Sequence, residues 1–327
     1  MKKIFGCIMA ILLTAGMLTA CARADNAQVQ TKKLSVVCTI FPEYDWVRQI
    51  LGSHLSNADV TLLLDNGVDL HNYQPTADDI VKISGCDVFI YVGGESDGWV
   101  ADALKEATNK NMVVINLLEA LGGSIKEEQI VEGMQAEEEE EAETAEEGPE
   151  YDEHVWLSLK NAKMLVSSIA ESIGKADQNN AADYTKNAAA YNEKLDALDK
   201  EYAQTVKSAG TKTILFGDRF PFRYLVDDYE LNYYAAFVGC SAETEASFET
   251  VVFLSQKMDE LKLKHILVID SSDQSIAKAI ISNTAGKDQQ ILTLNSMQSV
   301  TAADITAGAA YLSIMQSNLE VLKTALN

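Results

Sequence analysis

The chain has 327 residues, which is too long for one small core and long enough for two lobes, and its hydrophobic content of 47% is sufficient to fill both. Its formal net charge of −23 excludes a nucleic-acid partner, because phosphate binding needs clustered Lys and Arg. We therefore expect a globular, two-lobed protein that does not bind nucleic acid.

The N-terminus has the pattern of a bacterial lipoprotein signal. Two lysines precede an apolar run over residues 4–18, which is too short to cross a bilayer, and a Leu-Thr-Ala-Cys sequence follows that ends at Cys21. We interpret residues 1–20 as a signal peptide and residues 21–33 as a lipidated N-terminus and polar tether. This places the protein on the extracytoplasmic face of the cell membrane, anchored by lipid at Cys21.

Eight apolar runs of strand length alternate with helical segments in the remaining chain. Such runs are typical of parallel sheets that are buried on both faces. We therefore predict an α/β fold of two lobes, each with a four-stranded, mostly parallel sheet flanked by helices. The predicted strands cover residues 34–40, 60–64, 87–92, 112–116, 213–217, 233–238, 265–270 and 290–294.

One long helix is predicted to join the lobes. Apolar and aromatic residues recur every three or four positions from Tyr184 to Tyr202, and no Gly or Pro interrupts residues 175–209. A helix over residues 183–208 would be about 39 Å long. It separates an N-terminal metal-binding lobe, residues 34–182, from a C-terminal lobe, residues 209–327, and its stiffness predicts limited domain closure.

The first lobe contains an acidic loop over residues 136–150. Eleven acidic residues and no basic one lie between Glu137 and Glu153, without an apolar period. Two interpretations remain open: a solubilising insertion, and a cluster of carboxylates that concentrates cations loosely beside a binding site.

The three cysteines after the tether, Cys38, Cys86 and Cys240, lie in or beside apolar runs. This position indicates small buried hydrophobic residues. Their odd number and the absence of a Cys-x-x-Cys motif argue against a disulfide scaffold and against a thiolate metal site.

Candidate ligands follow the predicted strands. Ligands in parallel α/β sheets bind at the carboxyl ends of the strands, and two of the four histidines fall there. Imidazoles together with carboxylate or amide oxygens suit zinc, manganese or iron. The other two histidines, His54 and His265, are predicted to be structural. The candidates are His71, His154, Asp218, Asp270 and Asn295.

Two of these segments resemble motifs of a known family. Residues 69–75, Asp-Leu-His-Asn-Tyr-Gln-Pro, resemble an Asp-Pro-His-x-Tyr-Glu-Pro segment, and residues 152–157, Asp-Glu-His-Val-Trp-Leu, resemble Asp-Pro-His-Val-Trp-Leu. Both belong to the zinc and manganese solute-binding lipoproteins of ABC importers, the ZnuA/TroA-like family. Residues 311–319 are similar to the closing Tyr-x-x-x-Met-x-x-Asn-Leu helix of that family. The resemblance implies that His71 and His154 are metal ligands.

The resemblance is weaker in the second lobe. Where the family has a third His or Glu, the chain has Gly217-Asp218-Arg219, so that Asp218 is the candidate with a one-residue doubt in register. Where the family has an Asp in its fourth position, the chain has Asn295, and Asp270 is a nearby rival. Two imidazoles with one carboxylate favour Zn²⁺, and a second carboxylate would favour Mn²⁺.

These features together predict a monomeric solute-binding protein that captures a divalent metal ion and delivers it to the permease of an ABC importer. A metal-stabilised surface adhesin is the alternative function. A metallohydrolase is disfavoured because no His-Glu-x-x-His motif is present, and we therefore predict that the protein is not an enzyme.

Overall fold

The computed structural model describes residues 32–135, 150–241 and 245–327. The proposed signal peptide, the lipidation site at Cys21 and almost all of the acidic loop lie outside these residues. Within the described ranges, no helix combines the length and the apolar character that crossing a membrane requires.

Each half of the described chain contains a four-stranded parallel sheet, as the sequence predicts. The strand orders are β2-β1-β3-β4 and β6-β5-β7-β8, so that both sheets have the same topology. Because all pairs are parallel, the carboxyl ends of each set of strands meet at one edge. The strands are β1 Leu34–Cys38, β2 Ala58–Leu62, β3 Val88–Tyr91, β4 Val113–Asn116, β5 Thr213–Phe220, β6 Asn232–Val238, β7 His265–Ile269 and β8 Gln290–Leu294.

Helices connect the strands and cover the sheets, which confirms the predicted α/β class. Several begin at a side-chain cap: the hydroxyl of Thr76, for example, accepts a hydrogen bond from the Asp79 N–H. The helices are α1 Phe41–Leu51, α2 Ala77–Gly85, α3 Val100–Lys105, α4 Leu117–Leu121, α5 Leu159–Ala176, α6 Ala181–Ser208, α7 Arg223–Asp228, α8 Phe248–Leu261, α9 Ser275–Asn283, α10 Ala302–Thr306 and α11 Tyr311–Ala325.

Strand β5 is longer than the sequence predicted. The expected end at Gly217 is wrong, because pairing with β6 resumes after an irregularity between Phe216 and Arg219 and continues to Phe220. A Cβ atom at Gly217 would lie 2.7 Å from the Cα atom of Ala277 in α9, so the close approach of sheet and helix requires glycine there. Asp218 therefore lies within the irregular part of the strand, not after it.

Helix α6 is the long helix that the tyrosine and leucine spacing predicts. Its 28 residues span about 42 Å, and its buried face includes Tyr184, Leu195 and Tyr202. It packs against α5 and α1 of the first lobe and against α11 of the second. The Tyr202 hydroxyl donates a hydrogen bond to the Met315 carbonyl at 2.6 Å, which ties α6 to α11.

Helix α11 provides a second link between the lobes. It packs on β8 and also returns to α1 of the first lobe. Tyr311 begins this helix, and its backbone N–H donates to Asp45 of α1 at 3.1 Å while its hydroxyl donates to the Trp156 carbonyl at 2.6 Å. Two packed helices therefore connect the lobes, and limited closure stays a prediction.

Candidate metal centre

The segment after β2 places His71 on a short 3₁₀ turn, Leu70–Asn72. Asp69 caps the turn, because its Oδ1 atom accepts the His71 backbone N–H at 3.1 Å. Leu70 is buried and anchors the turn in the first lobe. The local sequence thus fixes the backbone from which the His71 ring projects.

His154 is positioned in the same way. Asp152 Oδ1 accepts the His154 backbone N–H at 2.8 Å, and a 3₁₀ turn over Val155–Leu157 follows, with all three residues buried. Each histidine is therefore held by an aspartate two residues before it and by apolar residues beside it. The two Asp-x-His motifs thus position their histidines through the same local contacts.

The structure brings the two imidazoles together. The Nε2 atoms of His71 and His154 lie 3.1 Å apart, although 83 positions separate the residues. The His71 side chain is 7% exposed and that of His154 is fully buried. Two ring nitrogens thus face each other with little access to water.

The surroundings of His154 indicate its tautomer. His154 Nδ1 lies 3.1 Å from Asp152 Oδ1, and the Gln298 amide nitrogen, which is a donor, lies 3.1 Å from His154 Nε2. A proton on Nδ1 and a lone pair on Nε2 satisfy both contacts. His71 Nδ1 lies 2.8 Å from the Ser96 hydroxyl, which can donate or accept, and His71 Nε2 faces that of His154.

The two histidines differ in their affinity for protons. Burial, together with the neighbouring His154, lowers the pKa of His71 to about 3. Burial also opposes a charge on His154, but the Asp152 carboxylate outweighs it and the pKa of His154 is raised. His71 is therefore neutral at physiological pH, as a metal ligand must be.

Cys240 completes a group of three ligating atoms that the sequence did not predict. Its Sγ atom and one ring nitrogen from each of His71 and His154 all lie within 4.8 Å of one another. The cysteine is half-buried, so its predicted role as a small buried hydrophobic residue is wrong, whereas Cys38 and Cys86 are buried as predicted. It comes two residues after the end of β6. The rule that ligands follow strand ends, which selected Asp218, Asp270 and Asn295, would also have selected Cys240.

Asp218 lies near the cleft but is not part of this group of ligating atoms in the described chain. Its Oδ1 atom accepts the backbone N–H of Arg219 at 2.8 Å. Burial raises the pKa of its carboxyl, which the Ser272 hydroxyl opposes. Asp218, Arg219 and Ser272 line a polar cavity of about 260 Å³, which Asn72 of the first lobe also lines.

Asn295 and Asp270 form hydrogen bonds within the loop that follows β8. Asn295 Oδ1 accepts the Met297 N–H at 2.7 Å. Asp270 Oδ1 accepts both the backbone N–H and the hydroxyl of Ser296, at 2.7 and 2.8 Å. The loop contacts the histidine turn, because Trp156 Nε1 donates to the Ser296 carbonyl at 2.9 Å. The structure thus places these two residues in support of the loop.

Arg219 was not among the predicted site residues, yet it connects the lobes at the cleft. Its guanidinium donates to Asp69 Oδ2 at 2.7 Å and to the Ser241 carbonyl at 3.3 Å. Burial opposes ionisation of Asp69, but Arg219 and His71 outweigh it and the pKa of Asp69 is lowered. Asp69 therefore stays ionised while it caps the His71 turn and pairs with the second lobe.

Two parallel α/β lobes, linked by packed helices and enclosing paired imidazoles, define a protein of the two-lobed metal-binding class. The family model described as zinc-uptake complex component A, periplasmic, matches residues 36–325, and the chain belongs to this ZnuA family. This match confirms the resemblance inferred from the two histidine motifs.

Two relatives and one solved structure illustrate the similarity. The zinc-binding lipoprotein AdcA of Streptococcus pneumoniae is 33% identical over 327 residues, covering 99% of this chain and 61% of AdcA. The chain thus spans about three fifths of the length of that relative. The high-affinity zinc uptake system protein ZnuA of Bacillus subtilis is 29% identical, covering 95% of this chain and 94% of ZnuA. The Zn(II)-bound ZnuA-like domain of S. pneumoniae AdcA superposes with a TM-score of 0.68 at 30% identity, covering 90% of this chain and 99% of that domain.

Proposed function

We propose that this protein captures a divalent metal ion between its lobes, zinc first and manganese second, and delivers it to the permease of an ABC importer. It acts as a monomer on the extracytoplasmic face of the membrane, held by lipid at Cys21, and has no catalytic role. The family membership supports the transport function, and the relatives AdcA and ZnuA are described as zinc-binding and zinc-uptake proteins.

The observation that carries this proposal is the pair of imidazoles. The two Nε2 atoms lie 3.1 Å apart, and each Nδ1 atom has a hydrogen-bonding partner, Ser96 for His71 and Asp152 for His154. Imidazoles whose second ring nitrogen is oriented in this way are the usual ligands of zinc. We therefore assign His71 and His154 as metal ligands.

The second lobe closes the site. Asp218 and Asn295, the remaining donors proposed from the sequence, form hydrogen bonds with the backbone N–H groups of Arg219 and Met297. We propose that they shape the loops around the ion and do not coordinate it. Gln298 reaches the site from the second lobe and contacts both His154 and Asp69.

Calorimetric titration of the metal-free protein with zinc tests the ligand assignment. We expect one tight site in the wild type and its loss in His71→Ala and in His154→Ala, since each removes one of few donors. His265→Ala is the matched control, because this histidine opens β7 away from the pair and should leave binding unchanged. Unchanged binding in either of the first two variants would refute the assignment.

Delivery is tested in cells that lack this protein and grow poorly at low zinc. The wild type should restore growth, whereas His71→Ala at equal abundance should not. The adhesin hypothesis makes a different prediction, in which the metal holds the fold together and chelation unfolds the protein. A cooperative unfolding transition that survives chelation, combined with restored growth, supports transport.

A further inference from the structure

We infer that the third metal ligand is the thiolate of Cys240, supplied by the second lobe, and that the site therefore selects zinc and other thiophilic ions over manganese. The inference rests on the proposed metal-capture function and specifies its ligand set. It replaces the oxygen donors expected from the sequence with a sulfur donor.

Geometry supports coordination by all three residues. A tetrahedral zinc ion with bonds of about 2.0–2.3 Å holds its donor atoms roughly 3.3–3.8 Å apart. The donor atoms of His71, His154 and Cys240 all lie within 4.8 Å of one another, and the two imidazole nitrogens are 3.1 Å apart. Shifts of a few tenths of an ångström at the rings, with a somewhat larger movement of the cysteine side chain, would therefore produce this geometry.

The backbone before Cys240 is fitted to the His154 ring. A Cβ atom at Gly239 would lie 3.0 Å from both Cε1 and Nδ1 of His154, closer than side chains normally approach. Glycine thus allows the end of β6 to pack directly on the imidazole. The Cys240 backbone N–H donates to Glu128 Oε1 at 3.1 Å, which fixes the next residue in this position.

Arg219 holds the cysteine loop against the His71 turn. Its guanidinium binds the carbonyl of Ser241, the residue after Cys240, and the carboxylate of Asp69, two residues before His71. The ion pair thus joins the backbones that carry a ligand from each lobe. The charges of Arg219 and Asp69 offset each other, so the Cys240 thiolate would be the one anionic donor among the three proposed ligands and would partly neutralise the dication.

The donor set determines the metal. Two imidazoles and one thiolate are borderline to soft ligands, which suit Zn²⁺, whereas Mn²⁺ prefers carboxylate, carbonyl and water oxygens. Coordination replaces the S–H bond with an S–metal bond, and the proton leaves to solvent. The fourth position is left for water or for the amide oxygen of Gln298, whose amide nitrogen would release His154 Nε2 when the metal binds.

Spectroscopy with cobalt tests the sulfur ligand directly. The full chain titrated with Co²⁺ should develop a near-ultraviolet thiolate-to-metal charge-transfer band that saturates at one equivalent and disappears when Zn²⁺ is added. Cys240→Ser should lack the band and bind Zn²⁺ at least about tenfold more weakly. Cys38→Ala is the control, because this buried cysteine lies in β1 and should leave the band intact.

Selectivity gives an independent measurement. Competition between Zn²⁺ and Mn²⁺ should favour zinc strongly in the wild type, and Cys240→Asp should reduce the ratio of the two affinities at least about tenfold, because an oxygen donor replaces sulfur. If the serine variant does not fold, the wild type still provides a test: Zn²⁺ should protect Cys240 from alkylation, as read by peptide mass.

The outcomes separate this inference from the proposed function. Tight zinc binding that depends on His71 but is unchanged in Cys240→Ser, without a charge-transfer band, would overturn the thiolate ligand and leave metal capture standing. Absence of tight zinc binding by the wild type would overturn both.

Discussion

Arg219 of the second lobe and Asp69 of the first form an ion pair of 2.7 Å across the cleft, and both side chains are only 13–14% exposed. Asp69 also accepts the backbone N–H of His71. The contact between the lobes and the positioning of a proposed ligand therefore depend on one carboxylate. This arrangement makes lobe packing and metal binding interdependent.

Replacement of Arg219 should weaken both the fold and the site. We expect Arg219→Ala to lower the free energy of unfolding by about 1–3 kcal/mol, because a largely buried carboxylate loses its charged partner. Denaturant unfolding of Arg219→Ala, Asp69→Ala and the double variant measures the pair in a double-mutant cycle. Additive effects of the two substitutions would mean that the ion pair contributes nothing specific.

Metal affinity should fall with acidity through one histidine. The raised pKa of His154 means that this ring is protonated first as the pH falls, while the pKa of His71, at about 3, keeps that ring neutral. Only neutral imidazole binds metal, so the penalty from His154 should be absent above the pKa of this ring and should grow below it. Below that pKa, His154 should contribute about one unit per pH unit to the change in the logarithm of the zinc affinity.

Calorimetry between about pH 5 and 7.5 measures this slope. If Cys240 is a ligand, its thiol releases one further proton on metal binding throughout this pH range. Cys240→Ser is therefore titrated in parallel to isolate the contribution of His154. Affinity in that variant that stays flat down to pH 5 would contradict the role of His154. A slope of two in the same variant would show that His71 is protonated as well.

Glu43 should make the protein less stable as the pH rises. Complete burial, together with Asp97, raises the pKa of this carboxyl from 4.5 to about 8. The folded state therefore binds the proton more tightly than the unfolded state, and stability is lost between about pH 4.5 and 8. Glu43→Gln should reduce that loss by about 1 kcal/mol or more, because the amide stays neutral.

Thermal or denaturant unfolding at pH 5 and pH 8 tests the role of Glu43. The exposed Glu119 on α4 provides the control, and Glu119→Gln should leave the pH dependence as in the wild type. An equal loss of stability in Glu43→Gln and in the wild type would show that other groups cause it.

Metal removal should leave the distance between the lobes almost unchanged. Helices α6 and α11 both cross between the lobes, and Tyr202 and Tyr311 fasten them through hydrogen bonds at 2.6 Å. We expect changes confined to the loops around His71, His154 and Asp218. Small-angle scattering should give the same radius of gyration with and without zinc, while hydrogen exchange increases in those loops. A change in radius typical of a wide hinge would disprove this.

The acidic loop should affect the rate of loading more than the affinity. Its carboxylates are expected to form weak sites that salt screens, so deletion of residues 137–147 should slow zinc loading at low concentration. Stopped-flow loading and equilibrium titration separate the two effects. A variant with glutamine in place of glutamate keeps the length and should behave like the deletion. Loss of tight binding in either variant would contradict this division of roles.

The sequence by itself determined the elements that depend on local patterns. Apolar runs predicted all eight strands within a few residues, and the spacing of Tyr184, Leu195 and Tyr202 predicted the long helix. His71 and His154 were identified because each lies in a short motif whose own aspartate caps the backbone. The spacing of apolar residues and the capping of a turn both involve residues that are close in the sequence. They can therefore be recognised from a single segment of the chain.

Only the tertiary structure decided which side chains meet. Cys240 was interpreted as core because it follows an apolar strand, yet packing of the lobes places it beside two histidines of the first lobe. Arg219 and Gln298 reach the cleft in the same way, and Asp218 lies within the irregular part of β5 because this strand continues past its predicted end. These contacts depend on sheet pairing and lobe packing between distant segments, and no local pattern encodes such distances.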